Sequence, residues 1–284
     1  MSLVRDRLDH GAPAMRAVAW ALAALLLASD AQAGGGSENV LLVVNDLSDD
    51  SKRIANHYIR WRNLPDSNVL HIRWRGSQAN CNVERFRNEL LKPILKTIGE
   101  RGLSKQIDYV VYSAGFPWRV NLQPDFPEEK FPPEMRPIAS LTGATYLWQY
   151  VLQKSKAIVT PESNWYVPKT PTSNLFRCQS LAGVPSRGFQ LEYLWDQTSQ
   201  RTDKKEAGQR YLLSTMLGVT NGRGNTVDEV LNYLQRSIAA DRTQPGGTFY
   251  FARNRDVRSQ ARHTCYKGVA ETLRAEGARA KIVQ

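Results

Sequence analysis

The 284-residue chain is poor in the residues and spacings from which most catalytic and cofactor sites are built. Its three cysteines, Cys81, Cys178 and Cys265, lie far apart and form no C-x-x-C pair, which argues against zinc ligation. There is no Walker lysine, no complete dinucleotide fingerprint and no G-x-S-x-G elbow, so no nucleotide or other cofactor is expected. No specific nucleic-acid motif is present. Histidine is equally sparing. His263 and Cys265 are two apart on an expected helix, so their side chains diverge. His57 falls mid-helix and His71 mid-strand, where packing explains them. A metal site is not expected either: it would need a convergence such as Asp46, Asp49 and Asp256, and helix capping accounts for Asp49 more simply.

What the chain does have begins at its start. Met15-Arg16 precedes a 12-residue apolar run, Ala17 to Ala28, then Ala31-Gln32-Ala33 and three glycines. A basic start, a short apolar core and an A-x-A exit make a cleavable signal peptide. A bilayer-spanning helix needs about 20 residues, so no transmembrane helix is expected after cleavage. Cleavage is expected after Ala33, with Met1 or Met15 as initiator, and no cysteine follows to carry a lipid. The expected products are a 1–33 leader and one exported α/β domain, 34–284, working in the periplasm or outside the cell. There, one disulfide and one free thiol are expected, with all three pairings open.

The leader's charges cancel, so the mature chain keeps the full +11. Such a surplus favours anionic surroundings (cell-surface polymer, membrane head groups or nucleic acid); an anionic cell-envelope polymer is one candidate partner, although generic solvated basicity accounts for the charge more simply. The charge is scattered apart from one cluster: Arg253, Arg255, Arg258 and Arg262.

Val40 to Val44 is an apolar run of the kind buried on both faces of a sheet. Ser48 to Ser51 supplies N-cap chemistry for a helix through Arg62, and Pro65 ends it. Val69–Ile72 reads as a strand, Val83–Glu100 as a helix kinked at Pro93, and Ile107–Ser113 as a strand ending at Gly115. Further on, strands are expected at Tyr211–Val219, Thr248–Ala252 and Lys281–Val283. Helices are expected at Val227–Ala240, behind a Thr226–Glu229 capping box, and at Val257–Ala275. This grammar predicts an α/β fold: one open, mostly parallel sheet of five or six strands with helices on both faces. Residues 118–207 interrupt it. Ten of the 14 prolines lie between Pro117 and Pro185, and 12 aromatics between 118 and 196. Only Ile138–Gln153 looks helical there, so a loop-rich aromatic elaboration is expected.

In an open parallel sheet, ligands bind beyond the carboxyl ends of the strands. Those ends carry Asn45 and Asp46, Ser113 and Gly115, Asn221 and Arg223, and Arg253, which are the candidate ligand-binding residues. Thr220–Thr226 offers backbone N–H groups at a helix start, although a structural turn accounts for it more simply. An alternative site is the aromatic segment, where a coplanar exposed row of Trp148, Trp165 and Trp195 would stack on polysaccharide.

Several motifs together resemble a family of exported bacterial proteins of unknown function. They are Asn39 to Asn45 with Ser51, Ile54-Ala55, Tyr58, Arg62, Pro65 and Asn68-Val69; Ile107 to Val111 with Gly115 and Pro117; and Pro245 to Phe251. The resemblance covers most of 39–283 and implies a shared α/β fold without an assigned activity. It also implies an acidic segment where Ile138–Ala144 stands, and an arginine and an aspartate where Met216 and Gly218 stand. This member's site is therefore expected to be altered. A more distant likeness is to the caspase-like fold of gingipain-type cysteine peptidases. That family implies a histidine and a cysteine at adjacent strand ends, and Ser113–Gly115 and Thr220–Asn221 supply neither. Peptidase activity is disfavoured.

Overall fold

The computed structural model describes residues 36–131, 136–159, 194–195, 201–205, 208–222, 224–241, 243, 246–255 and 257–283. The chain partitions after Gly36, and all elements below belong to Ser37–Gln284.

β1 (Val40–Asn45) is buried almost throughout because it is central, with neighbours on both edges. α1 (Asp49–Arg62) follows; the Ser48 hydroxyl accepts from the Ser51 amide, and Asn63 closes it in the left-handed region, φ 50°. β2 (Val69–Ile72) pairs parallel with β1, Leu42 opposite Val69. β3 (Asn80–Asn82) leads into one continuous helix in three stretches: α2 (Val83–Arg85), a π-helical stretch (Phe86–Leu91) and α3 (Lys92–Glu100). Pro93 has no N–H for the Glu89 carbonyl and would crowd it. The helix answers by widening just before Pro93, where the Lys92 amide donates to the Arg87 carbonyl five residues back.

β4 (Tyr109–Tyr112) pairs parallel with the other edge of β1. β5 (Arg119–Asn121) and β6 (Ile138–Ser140) follow, then α4 (Leu141–Tyr146) and α5 (Trp148–Gln153). β7 (Leu194–Trp195) and β8 (Arg201–Thr202) form a short antiparallel pair. β9 (Leu213–Met216) adds parallel to β4, shorter than the expected Tyr211–Val219. α6 (Val227–Ala239), β10 (Thr248–Ala252), α7 (Val257–Ala275) and β11 (Arg279–Val283) complete the chain.

The architecture is α/β, with a parallel four-stranded sheet in the order β2-β1-β4-β9. Leu41, Val43, Val110 and Tyr112 face the 83–100 helix and α4 and α5; Leu42, Val44 and Val111 face α1 and α6. Period-two alternation in β1 and β4 thus feeds two cores. Ion pairs from Arg53 to Asp228 (2.7 Å) and from Arg62 to Asp241 tie α1 to α6. No helix among the described residues is long and apolar enough to cross a membrane.

Two differences from the expected fold have physical causes. First, β3, β5 and β6 form a separate small sheet beyond the carboxyl ends of β2 and β4. β6 takes the first residues of the expected 138–153 helix, and the remainder breaks into two short helices at Leu147. Second, among the described residues the main sheet has four strands rather than five or six, and β10 and β11 pair only with each other. Parallel crossovers are right-handed in about 98% of cases. The β1–β2 crossover runs over the Leu42 face, and the β2–β4 crossover runs the opposite way over the Leu41 face, preserving that hand. α6 lies on the Leu42 face. A strand carried outward past β9 by α6 would therefore make a left-handed connection. The sheet stops at β9.

Candidate functional site

The strand ends bring four of the seven candidate residues together. Asn45 ends β1 and is 3% exposed. Its side-chain oxygen accepts from the Leu47 and Trp74 amides, both at 3.1 Å. Its side-chain nitrogen donates to the Gly115 carbonyl at 2.8 Å and the Trp74 carbonyl at 3.3 Å. An amide has two acceptor and two donor positions, and all four are used here. Ser113, fully buried, donates to the Ser51 carbonyl at 2.7 Å, and the Ser51 hydroxyl accepts from the Asn45 amide at 2.9 Å. Gly115 sits at φ 75°, and a Cβ there would come within 2.7 Å of the Ser48 side chain. These residues brace the strand ends against each other, and a ligand finds no spare donor or acceptor on Asn45.

Asp46 differs. Its carboxylate lies 2.6 Å from His71 Nδ1, with the side chains 34% and 57% exposed. Reading His71 as a packed residue was incorrect: β2 is an edge strand and turns this side chain outward. A carboxylate orienting a histidine is the supporting half of a nucleophilic triad. Among the described residues no Ser, Thr or Cys is hydrogen-bonded to the His71 ring. Cys81 is a buried free thiol whose pKa burial pushes up to about 11, which keeps it protonated at neutral pH.

Asn221 lies on the β9–α6 turn, and Arg223 falls outside the described residues. Gly224 donates to the Asn221 carbonyl at 3.0 Å, Asn225 to the Val219 carbonyl at 2.8 Å, and Thr226 to the Glu229 carboxylate at 2.8 Å. Those N–H groups close the turn and cap the helix, so they are not offered to an anion. Arg253 follows β10, which pairs with β11 and not with a strand of the four-stranded sheet. The row of tryptophans does not appear among the described residues: Trp148 and Trp195 are partly buried in apolar clusters, and Trp165 lies outside them. No group of three His, Cys, Asp or Glu among the described residues could hold a metal.

Two features escaped sequence reasoning. One is an open groove of about 470 Å³ lined by Asn121, Gln123, Glu129, Phe131, Arg136 and Ile138, among others. Two of its polar groups are already engaged: Lys156 holds Glu129 at 2.8 Å, and Gln123 donates to the Phe126 and Glu129 carbonyls. The other is the β10–α7–β11 layer. Phe249, Phe251, Ala280 and Ile282 share the face toward α7, where the Phe251 and Tyr266 rings lie 5.4 Å apart. Tyr250, Arg279 and Lys281 share the opposite face and are exposed, Tyr250 by 63%. The strand at Thr248–Ala252 is expected from the sequence, but its pairing with β11 alone and its exposed face are not.

Comparison with protein-family models, curated proteins and solved structures returned no match.

Proposed function

We propose that this chain is an exported member of the resembled family and acts as a binding protein for an anionic polymer of the cell envelope. The leader motif supports export. With Cys81 a buried free thiol, Cys178 and Cys265 are the pair that an oxidising compartment would join. The observation that carries the binding reading is a contrast in availability. The rim amide and hydroxyls at Asn45, Ser51 and Ser113 are consumed internally, whereas basic charge is concentrated near the C-terminal end, where Lys267 pairs with Glu271 and other cations are left over. Between 246 and 283 there are eight basic residues against three acidic ones, nearly half of the chain's surplus. Among the described residues no carboxylate forms an ion pair with Arg253, Arg255, Arg279 or Lys281. Such a field attracts polyanions and weakens as salt shortens its range, to about 3 Å at 1 M.

The test uses the exported protein and immobilised polygalacturonate. The expected result is an N-terminus at Gly34, retention at low salt and release as sodium chloride approaches 1 M. Flow-through at low salt contradicts the reading. The Asp46–His71 pair favours a second reading, a hydrolytic site at the rim. A hydrolytic activity that His71→Ala abolishes would replace the first reading with the second.

A further inference from the structure

We infer that the polymer is bound on the open face of the β10–β11 pair, with the Tyr250 ring stacking on sugar rings and Arg279 and Lys281 pairing with their carboxylates. This inference rests on the binding reading above and names its surface and ligand class: a linear polymer with a carboxylate on each ring. Parallel strands normally have both faces covered, and a two-stranded sheet is marginal alone. Here α7 packs against one face at Phe251 and Ala280, leaving Phe249 54% exposed at its margin, and the side chains of Tyr250, Arg279 and Lys281 on the other face are exposed. The connection through α6 cannot bring the pair to the edge of β9 without a left-handed crossover, so the pair does not extend the main sheet.

The geometry of this face selects its occupant. Tyr250 is in register with Lys281, about 4.8 Å away across the pair, and Arg279 is about 6.6 Å further back along β11. An exposed ring on one strand beside two cations on the next suits an extended chain that repeats both an apolar ring face and a negative charge. Small ligands instead require a concave site, which this strip does not provide. A second copy of this chain is disfavoured, because a two-fold axis through the face would set Arg279 and Lys281 against their own counterparts.

Binding is measured for the exported protein with polygalacturonate, polyphosphate, a single-stranded oligonucleotide and phosphatidylglycerol vesicles. Arg279→Ser/Lys281→Ser is compared with the charge-matched Lys52→Ser/Lys96→Ser on α1 and α3. Two exposed ion pairs at about 0.7 kcal/mol each correspond to about a tenfold loss for the first variant. The control should lose less than about twofold. Tyr250→Ala should weaken polygalacturonate several-fold and leave polyphosphate, which has no rings, unchanged; Tyr250→Phe should restore the sugar binding. Circular dichroism confirms that each variant is folded. If the wild type binds none of these polyanions, the binding reading itself fails. If it binds and both double variants lose affinity equally, that reading stands and this surface is wrong. Tighter binding of the oligonucleotide or the vesicles, or a dimer that Arg279→Ser/Lys281→Ser alters, overturns the sugar polymer as occupant.

Discussion

The carboxyl ends of the four-stranded sheet and the β10–β11 face both carry polar residues on strands, yet they use them in opposite ways. At the sheet ends, Asn45, Ser51, Ser113 and Gly115 are packed against one another, with every donor and acceptor of the Asn45 side chain paired. On the ribbon, Tyr250, Arg279 and Lys281 share one face and are exposed. The first arrangement stabilises the fold and the second leaves groups available to a partner. Position at a strand end therefore marks a candidate site, but only saturation of its polar atoms decides whether it can bind.

Substitutions can break this contrast, and the largest effect is expected on the closed side. Asp125 pairs with Arg87, both nearly buried, and Arg87 also donates to the Val151 carbonyl at 3.0 Å. Asp125→Ala strands a buried guanidinium, so chemical denaturation should show a loss of about 4 kcal/mol. Asn45→Ala leaves the Trp74 amide and the Gly115 carbonyl unpaired, for a loss of about 3 kcal/mol in the same measurement. Gly115→Ala combines a left-handed backbone with a clash on Ser48 and should cost about 2 kcal/mol. Tyr250→Ala should change stability by less than about 0.5 kcal/mol, because the ring is mostly in water. A Tyr250 variant as damaging as the Asn45 variant would erase the contrast.

A pH-dependent effect follows from Cys81. Burial raises its pKa from 9.0 to about 11, so the folded state holds the proton longer than the unfolded state does. Its contribution is complete below pH 9 and is lost as pH rises through 11. The thermal midpoint should therefore fall across that window, and Cys81→Ala should flatten the fall.

Much of the frame was legible in sequence. The apolar run at β1, the Ser48 cap, the Thr226–Glu229 capping box and the 257–275 helix follow from local rules, and they stand as expected. The strand count was not legible, because it depends on which face α6 covers, and that is decided by packing of Val230, Leu231 and Leu234 on Ile54. β3, β5 and β6, at three residues each, are too short to show a period. At the candidate site, the meeting of Asn45, Ser113 and Gly115 was readable from strand ends. Its closure was not, since Trp74, the residue that uses up the Asn45 amide, lies in a loop 29 residues away. His71 was misjudged because an edge strand exposes what a central strand buries.

Chemical footprinting with and without polygalacturonate sets the two regions against each other in a single sample, using acetylation of Lys281 and carbethoxylation of His71 as reporters. The account predicts that the polymer protects Lys281 and leaves His71 as reactive as before. Protection of His71 with Lys281 unchanged would contradict it and return the site to the ends of the sheet.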